Sequence, residues 1–171
     1  LYGAQAVEEG KAYTVEQMLT YALQDEQLAQ AGYAAIIDAY GAGRPYANIL
    51  RAEGAHIQWL LPLFAAHDVS VPENTAAERI VLPPSLQDSY AEEVKAEELN
   101  IAMYAAFLRQ ENLPDDLRAV FENLKRGSEN HLAAFQQNAN RPANGGNGRN
   151  RNADNSDPAA GRFGPGSNRP G

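Results

Sequence analysis

The chain has 171 residues, 44% of them apolar, and a net charge of −8, which leaves room for one domain with a proper core and argues against a second catalytic domain. It contains no cysteine; disulfides, thiolate metal sites and cysteine nucleophiles are excluded, and carboxylates and imidazoles remain as the strong ligands, a set that suits hard or borderline metals. Residues 139–171 hold five Arg against two Asp, so they carry +3 and residues 1–138 carry −11, a balance that argues against nucleic acid as the main partner and draws the basic tail towards the acidic body of another copy.

The longest apolar run, near Leu60 to Ala66, is interrupted by Pro62 and is far too short to span a bilayer, so no membrane span is expected. The chain starts at Leu1 rather than Met. A removed signal peptide leaves such a start, as would a chain trimmed at its N-terminus; an extracytoplasmic or secreted address is the expectation.

Residues 1–13 form a short arm without a period. Thr14-Val15-Glu16-Gln17 reads as a capping box that starts the first helix. Val15, Leu19, Ala22, Glu26, Ala29, Tyr33, Ile36 and Tyr40 then follow the spacing of one buried face, and Gly41-Ala42-Gly43 ends it. Glu26 is the charge in that stripe. The second helix starts between Arg44 and Asn48, with Ile49, Glu53, His56, Leu60 and Leu63 inward; Pro62 either kinks or ends it, and His67 near its end is a capping or solvated residue.

Residues 69–84 include three prolines and no sustained period, with one short turn at Thr75 to Arg79. About sixteen extended residues reach roughly 50 Å, more than the length of a 25-residue helix, so this connection can cross a whole bundle. Ser85 is a good N-cap for a third helix whose inward face reads Tyr90, Val94, Glu97, Ile101, Tyr104 and Leu108, the acids around it being solvated by default. A turn at residues 112–116 leads to a fourth helix with Leu117, Phe121, Leu124, Ser128, His131 and Phe135 inward. Two short connections and one long crossover between the second and third helices describe an all-α, ferritin-like four-helix bundle over residues 14–138. Residues 139–171 form an extended Gly/Asn/Arg/Pro-rich tail with Phe163 as its only large apolar side chain, too little to fold alone; self-association through the tail is the expectation.

In that path the interrupting residues converge, at heights agreeing within about one turn. Glu26, Glu53, His56, Glu97 and His131 nearly complete the di-metal carboxylate set of one Glu from each of two helices and a Glu-x-x-His from each of the other two. Ser128 stands where the second motif would carry Glu. Three carboxylates leave two divalent ions one charge short of neutral, which a bridging hydroxide, an inward swing of Glu93 or single-metal occupancy would settle. One or two metal ions are therefore expected, iron first, with Mn, Zn and Cu as alternatives. The plainer reading of any one such residue is a solvated Glu at the stripe's edge or a hydrogen-bonded core His; three unpaired buried carboxylates together would cost several kcal/mol each, and a metal is the usual compensation. Tyr33 and Tyr104 lie a heptad from Glu26 and Glu97, and Trp59 a turn from His56; core filling is their default role, with a redox tyrosine as the minor reading. Gly54 and Gly127 leave room for close helix packing or an exogenous ligand.

Arg126-Gly127-Ser128-Glu129-Asn130-His131-Leu132-Ala133-Ala134-Phe135 resembles the last helix, R-G-S-x-N-H-L-x-A-F, of a ferritin-like family of mostly secreted prokaryotic proteins known only as a domain of unknown function. Asp25-Glu26-Gln27-Leu28-Ala29, Asn48-Ile49 with Glu53 and His56, and Glu97-Glu98-Leu99-Asn100-Ile101 support the likeness, which covers roughly residues 14–138. It implies a ferritin-like bundle, a di-iron-type site at Glu26, Glu53, His56, Glu97 and His131, and Ser128 as part of the pattern. Pro62 and the tail lie outside it. No reaction comes with the resemblance. The sequence leaves two functions open: a metal-binding redox or storage protein, a di-iron-type oxidoreductase if it is an enzyme, and a structural subunit of an extracellular homopolymer or filament whose tail docks on neighbours. A monomeric bundle with a linker tail is the third, plainer outcome.

Overall fold

The computed structural model describes residues 1–140; the expectations for the tail beyond Asn140 lie outside them. Four helices carry the architecture: α1 (Val15–Tyr40), α2 (Tyr46–Ala66), α3 (Leu86–Leu108) and α4 (Asp115–Ala139). There is no strand among the described residues. α1 packs most extensively on α2 and α3 on α4, and the two pairs meet through α1 with α3 and α2 with α4. The result is a helical bundle.

Local signals set the helix ends. The Thr14 hydroxyl accepts from Gln17 N while the Gln17 side chain accepts from Thr14 N, closing the box that satisfies two otherwise orphaned donors. Gly41 ends α1 at φ 62°, a conformation available to glycine at little cost. Ser85 accepts from Asp88 N at the start of α3, and Asp115 and Asp116 lie in the first turn of α4, where the helix dipole favours negative charge. His67 caps the end of α2 and its Nε2 lies 2.8 Å from Asp116 Oδ2, tying α2 to the start of α4.

Pro62 neither ends α2 nor breaks the packing: the helix runs on to Ala66. Both Pro62 and Gln58, whose carbonyl loses its partner, are on the exposed face, so water can satisfy what the ring removes. In α2 and α4 every residue expected to face inward is buried. α3 is rotated from expectation. Ser89, Asn100, Met103 and Phe107 are buried, whereas Val94, Ile101 and Leu108 are only half-buried. Hydrogen bonding explains the difference: Ser89 Oγ meets Tyr46 Oη at 2.6 Å and Asn100 bonds to Asp25 and Ser128, so polar side chains occupy the inner face and push the apolar ones to its edge. In α1, likewise, Met18, Leu23 and Gln27 are buried while Val15, Ala29 and Tyr40 lie at the margin.

The apolar interior comes in two halves. One gathers Leu19, Leu23, Leu60, Phe64, Tyr104, Phe107, Leu117 and Phe121, and the other Tyr33, Ile36, Tyr46, Ile49 and Phe135. Along each helix the residues between these halves are polar: Glu26 in α1, Glu53 and His56 in α2, Glu97 and Asn100 in α3, Ser128 and His131 in α4. A polar layer thus lies between two greasy ones, which close it off along the bundle axis.

The arm at residues 1–13 is not featureless. A 3-10 turn at Gly3–Ala6 packs on α1 and α3, with Gly3 N donating to Gln24 Oε1 and Ala4 N to Asp25 Oδ1. Gly3 has φ 55°, and a Cβ there would stand 2.5 Å from Asp25 Oδ1. Glycine is required on both counts.

Candidate metal centre

The five expected ligands meet. Glu26, Glu53, His56, Glu97 and His131 are all buried, from 1% to 7% exposed. They form two trios, Glu26/Glu53/His56 and Glu53/Glu97/His131, in each of which one ligand atom per residue lies within 4.8 Å of the others. Each trio is competent to hold a cation, and Glu53 belongs to both. Its two oxygens divide the work: Oε2 is 3.0 Å from His56 Nδ1 and Oε1 is 3.0 Å from His131 Nδ1. His56 Nδ1 also lies 3.0 Å from Glu26 Oε2, and His131 Nδ1 lies 3.3 Å from Glu97 Oε1. The imidazoles stack at 5.6 Å.

Why these side chains converge follows from the helices that carry them. Glu53 and His56 are one turn apart on one face of α2, so a single helix aims a carboxylate and an imidazole at the same point. Glu26, Glu97 and His131 enter from the other three helices at the same layer. Tyr33 Oη donates to Glu97 Oε1 at 2.8 Å, and Tyr104 Oη donates to Glu26 Oε1. Both tyrosines are fully buried and orient the carboxylates they touch, as partners of metal ligands do.

The electrostatics balance without a metal by moving protons. Burial, the neighbouring Glu53 charge and a hydrogen bond with Glu53 push the Glu26 carboxyl well above the usual range. Glu53 goes the other way: burial opposes its ionisation, but the Glu26 carboxyl and the His131 and His56 rings beside it hold it well below the ordinary value. Burial lowers both imidazoles, yet hydrogen bonds donated to Glu26 and Glu53 lift His56 to about 10, and the neighbouring Glu53 and Glu97 carboxylates lift His131 to about 9. A neutral Glu26 and two imidazolium rings are thus the metal-free answer to a charged layer.

That answer is incomplete, which is the test of fit for a metal. His131 Nδ1 is buried and makes no hydrogen bond even with two carboxylate oxygens beside it; such an orphan is rare in a settled polar core. Oxygen and imidazole donors without sulfur suit iron, manganese and zinc. The residues fit.

Gly127 makes room for one of the ligands. A Cβ there would lie 2.7 Å from His56 Cε1 and 2.9 Å from Nε2, so the space read from the sequence as room for packing or a ligand is filled by the His56 ring. Gly127→Ala should gain about 1 kcal/mol of helix propensity yet lower metal affinity roughly 10- to 100-fold by displacing that ring. Gly54→Ala, whose Cβ meets only the end of the Gln30 side chain at 3.3 Å, should leave affinity intact. Titration with a metal-responsive dye decides between them; equal affinities would refute the role given to Gly127.

Three further residues stand outside the trios. Glu93 does not join either trio; it is half-buried one turn from Glu97 and is raised to about 8 by burial, then by Glu97 and Glu92. Ser128 Oγ donates to Asn100 Oδ1 at 2.8 Å and also to Leu124 O, and Asn100 in turn donates to Asp25 Oδ2. Trp59 is not core filler: it is 47% exposed, its ring 5.2 Å from that of His56. Asp25 is the residue the sequence reading assigned no role. Burial raises it to about 7, against the hydrogen bonds from Ala4 and Asn100. Its adjacency to Glu26, with Asn100 one turn from Glu97, was the available signal.

Among the described residues, no helix is long and apolar enough to cross a membrane. Comparison with family models, with characterised proteins and with solved structures finds no match to this chain.

Proposed function

We propose that the protein is a ferritin-like metal protein that binds two metal ions, iron first, through Glu26, Glu53, His56, Glu97 and His131, with Glu53 shared between them. The observation that carries this reading is the pair of buried trios meeting at one carboxylate whose two oxygens face different imidazoles. The resemblance of residues 126–135 to a ferritin-like last helix points the same way, and the expected secreted address belongs to the same proposal. When bound, a redox-active pair supplies electron transfer to dioxygen or peroxide, or the ions are simply stored. The chain's own part is to hold the ligands in a layer closed by apolar side chains on both sides, to keep Glu97 and Glu26 oriented through Tyr33 and Tyr104, and to accept protons at Glu26 when the layer is empty of metal. Elemental analysis of protein purified from its source should find close to two transition-metal ions per chain; metal-free native material that does not take up Fe(II), Mn(II) or Zn(II) would refute the reading.

The charge asymmetry, −11 in residues 1–138 against +3 in residues 139–171, supports a second reading in which the protein is a subunit of a homopolymer and the metal stiffens the bundle. Removing residues 141–171 should then reduce assembly size in light scattering, more so at low salt, where screening is weakest. Unchanged size would end it.

A further inference from the structure

A cavity of 320 Å³ is lined by α1, α3 and residues 79–83, together with Glu53 and Glu97 of the metal layer. The cavity thus reaches the metal layer, and its volume lies at the small end of sites that enclose organic ligands. Its lining mixes apolar side chains, Leu28, Ile36 and Leu99 among them, with carboxylates, and includes Tyr33. Val81, Leu82 and Leu99 at the mouth are 86%, 43% and 48% exposed, an apolar rim that water covers only at a cost.

The charge in the cavity is one-sided. Asp25, Glu53, Glu92, Glu93 and Glu97 line it, with Arg79 as the one basic residue there among the described ones. Arg79 is engaged elsewhere, its guanidinium 4.3 Å from the centroid of the Tyr2 ring and its Nε directed at Thr75 Oγ1. Asp25 is held by Ala4 N and Asn100, and Glu53 and Glu97 belong to the metal trios. Glu92 and Glu93 remain, and although burial and the neighbouring carboxylates raise Glu93 to about 8 in the empty cavity, an ammonium beside it favours the ionised form. No basic side chain among the described residues forms an ion pair with either. Carboxylic acids would be repelled from such a lining, while a cation with an apolar body is matched to both halves of it.

Resting on the metal-centre reading above, we propose that this cavity binds a small organic ammonium compound, an alkyl- or arylamine whose cationic end pairs with Glu92 and Glu93 and whose apolar body lies along Leu28, Ile36 and Leu99, next to the metal ligands Glu53 and Glu97. The metal centre then has an organic partner delivered to its open side, and the preference is for amines over acids of the same length.

The test uses the full chain, metal-free and zinc-loaded, with hexylamine, hexanol and hexanoate as probes, followed through the backbone amide resonances of Ala29, Gly32 and Ala96. Hexylamine should give saturable shifts at those positions with an affinity at least about tenfold above hexanoate. Ala96→Phe, at an exposed position on the cavity wall, should block the shifts, and Glu93→Gln should bring hexylamine down towards hexanol. Absence of saturable shifts, equal binding of hexanoate, or binding that emerges only after removal of residues 141–171 would overturn the assignment, the last by giving the cavity to the chain's own tail. Metal content of the same samples separates the two readings: a full zinc load without amine binding rejects the cavity ligand alone, and amine binding by protein that takes up no metal supports the cavity ligand while rejecting the centre.

Discussion

Glu53→Gln is expected to abolish metal binding at both positions, whereas Glu26→Gln should leave one ion per chain. Glu53 is the carboxylate common to the two trios, while Glu26 serves only the one with His56, and Glu97 and His131 keep the other without it. The two variants should also part in metal-free stability. Glu53 is the ionised member, held well below the usual range between two imidazoles, so its neutral replacement leaves buried positive charge without its partner, a loss of about 3–5 kcal/mol by precedent for broken buried pairs. Against a total stability of roughly 5–15 kcal/mol that is a large fraction. Glu26 is already pushed towards its neutral form when metal is absent, and Gln is close in shape to a protonated Glu; the metal-free Glu26→Gln protein should melt within about 1 kcal/mol of wild type. Metal stoichiometry by elemental analysis and unfolding by circular dichroism measure the two effects on the same samples. If both variants retained equal metal, or if Glu26→Gln were the less stable, the shared role of Glu53 would be wrong.

The residues of this centre could be found from sequence because each breaks a rule that its neighbours obey. Glu26, Glu53, Glu97 and His131 stand in apolar stripes where Leu or Ile is expected, and the stripes of α2 and α4 are regular enough to set the rotation of the helix about its axis. α3 shows the limit. Its buried face is defined partly by Ser89 and Asn100, which count as surface residues in any hydrophobic period and are buried only because Tyr46, Asp25 and Ser128 satisfy them from other helices. A partner remote in sequence cannot be read from local spacing. The same holds for the arm, where Gly3 approaches Asp25 closely, and for Gly127, whose missing side chain accommodates a ring from α2. Pro62 was ambiguous for another reason: its cost depends on whether the freed carbonyl faces water, which only the packed helix decides.

The second large effect is on pH: metal-free stability falls as pH rises, while affinity for metal climbs. Without metal, His56 and His131 titrate near about 10 and 9 in the folded protein, against about 6.5 unfolded. Between those values the folded state holds more protons than the unfolded one, so stability is fully present below about pH 6.5 and is lost as pH rises towards 10, by up to roughly 1.4 kcal/mol per pH unit for each ring. Asp25, raised to about 7, and Glu26, raised well above its ordinary value, push the same way from lower pH. Glu53 has the opposite sign, its contribution being present above about pH 4.5 and lost in stronger acid. Metal-free protein should therefore be most stable in mildly acidic solution and melt progressively earlier through neutrality to pH 10. Ions compete for the same atoms, and they bind Nδ1 and the carboxylates only once the protons of His56, His131 and Glu26 have left, so affinity rises with pH and loading at pH 7 should release close to three protons per chain. The gap between loaded and metal-free melting temperatures should widen with every step from pH 6 to pH 9. Proton release is measured by titration calorimetry in buffers of different ionisation enthalpy. A metal-free melting temperature flat over that interval, or loading that releases no proton, would show that the polar layer does not exchange protons for metal.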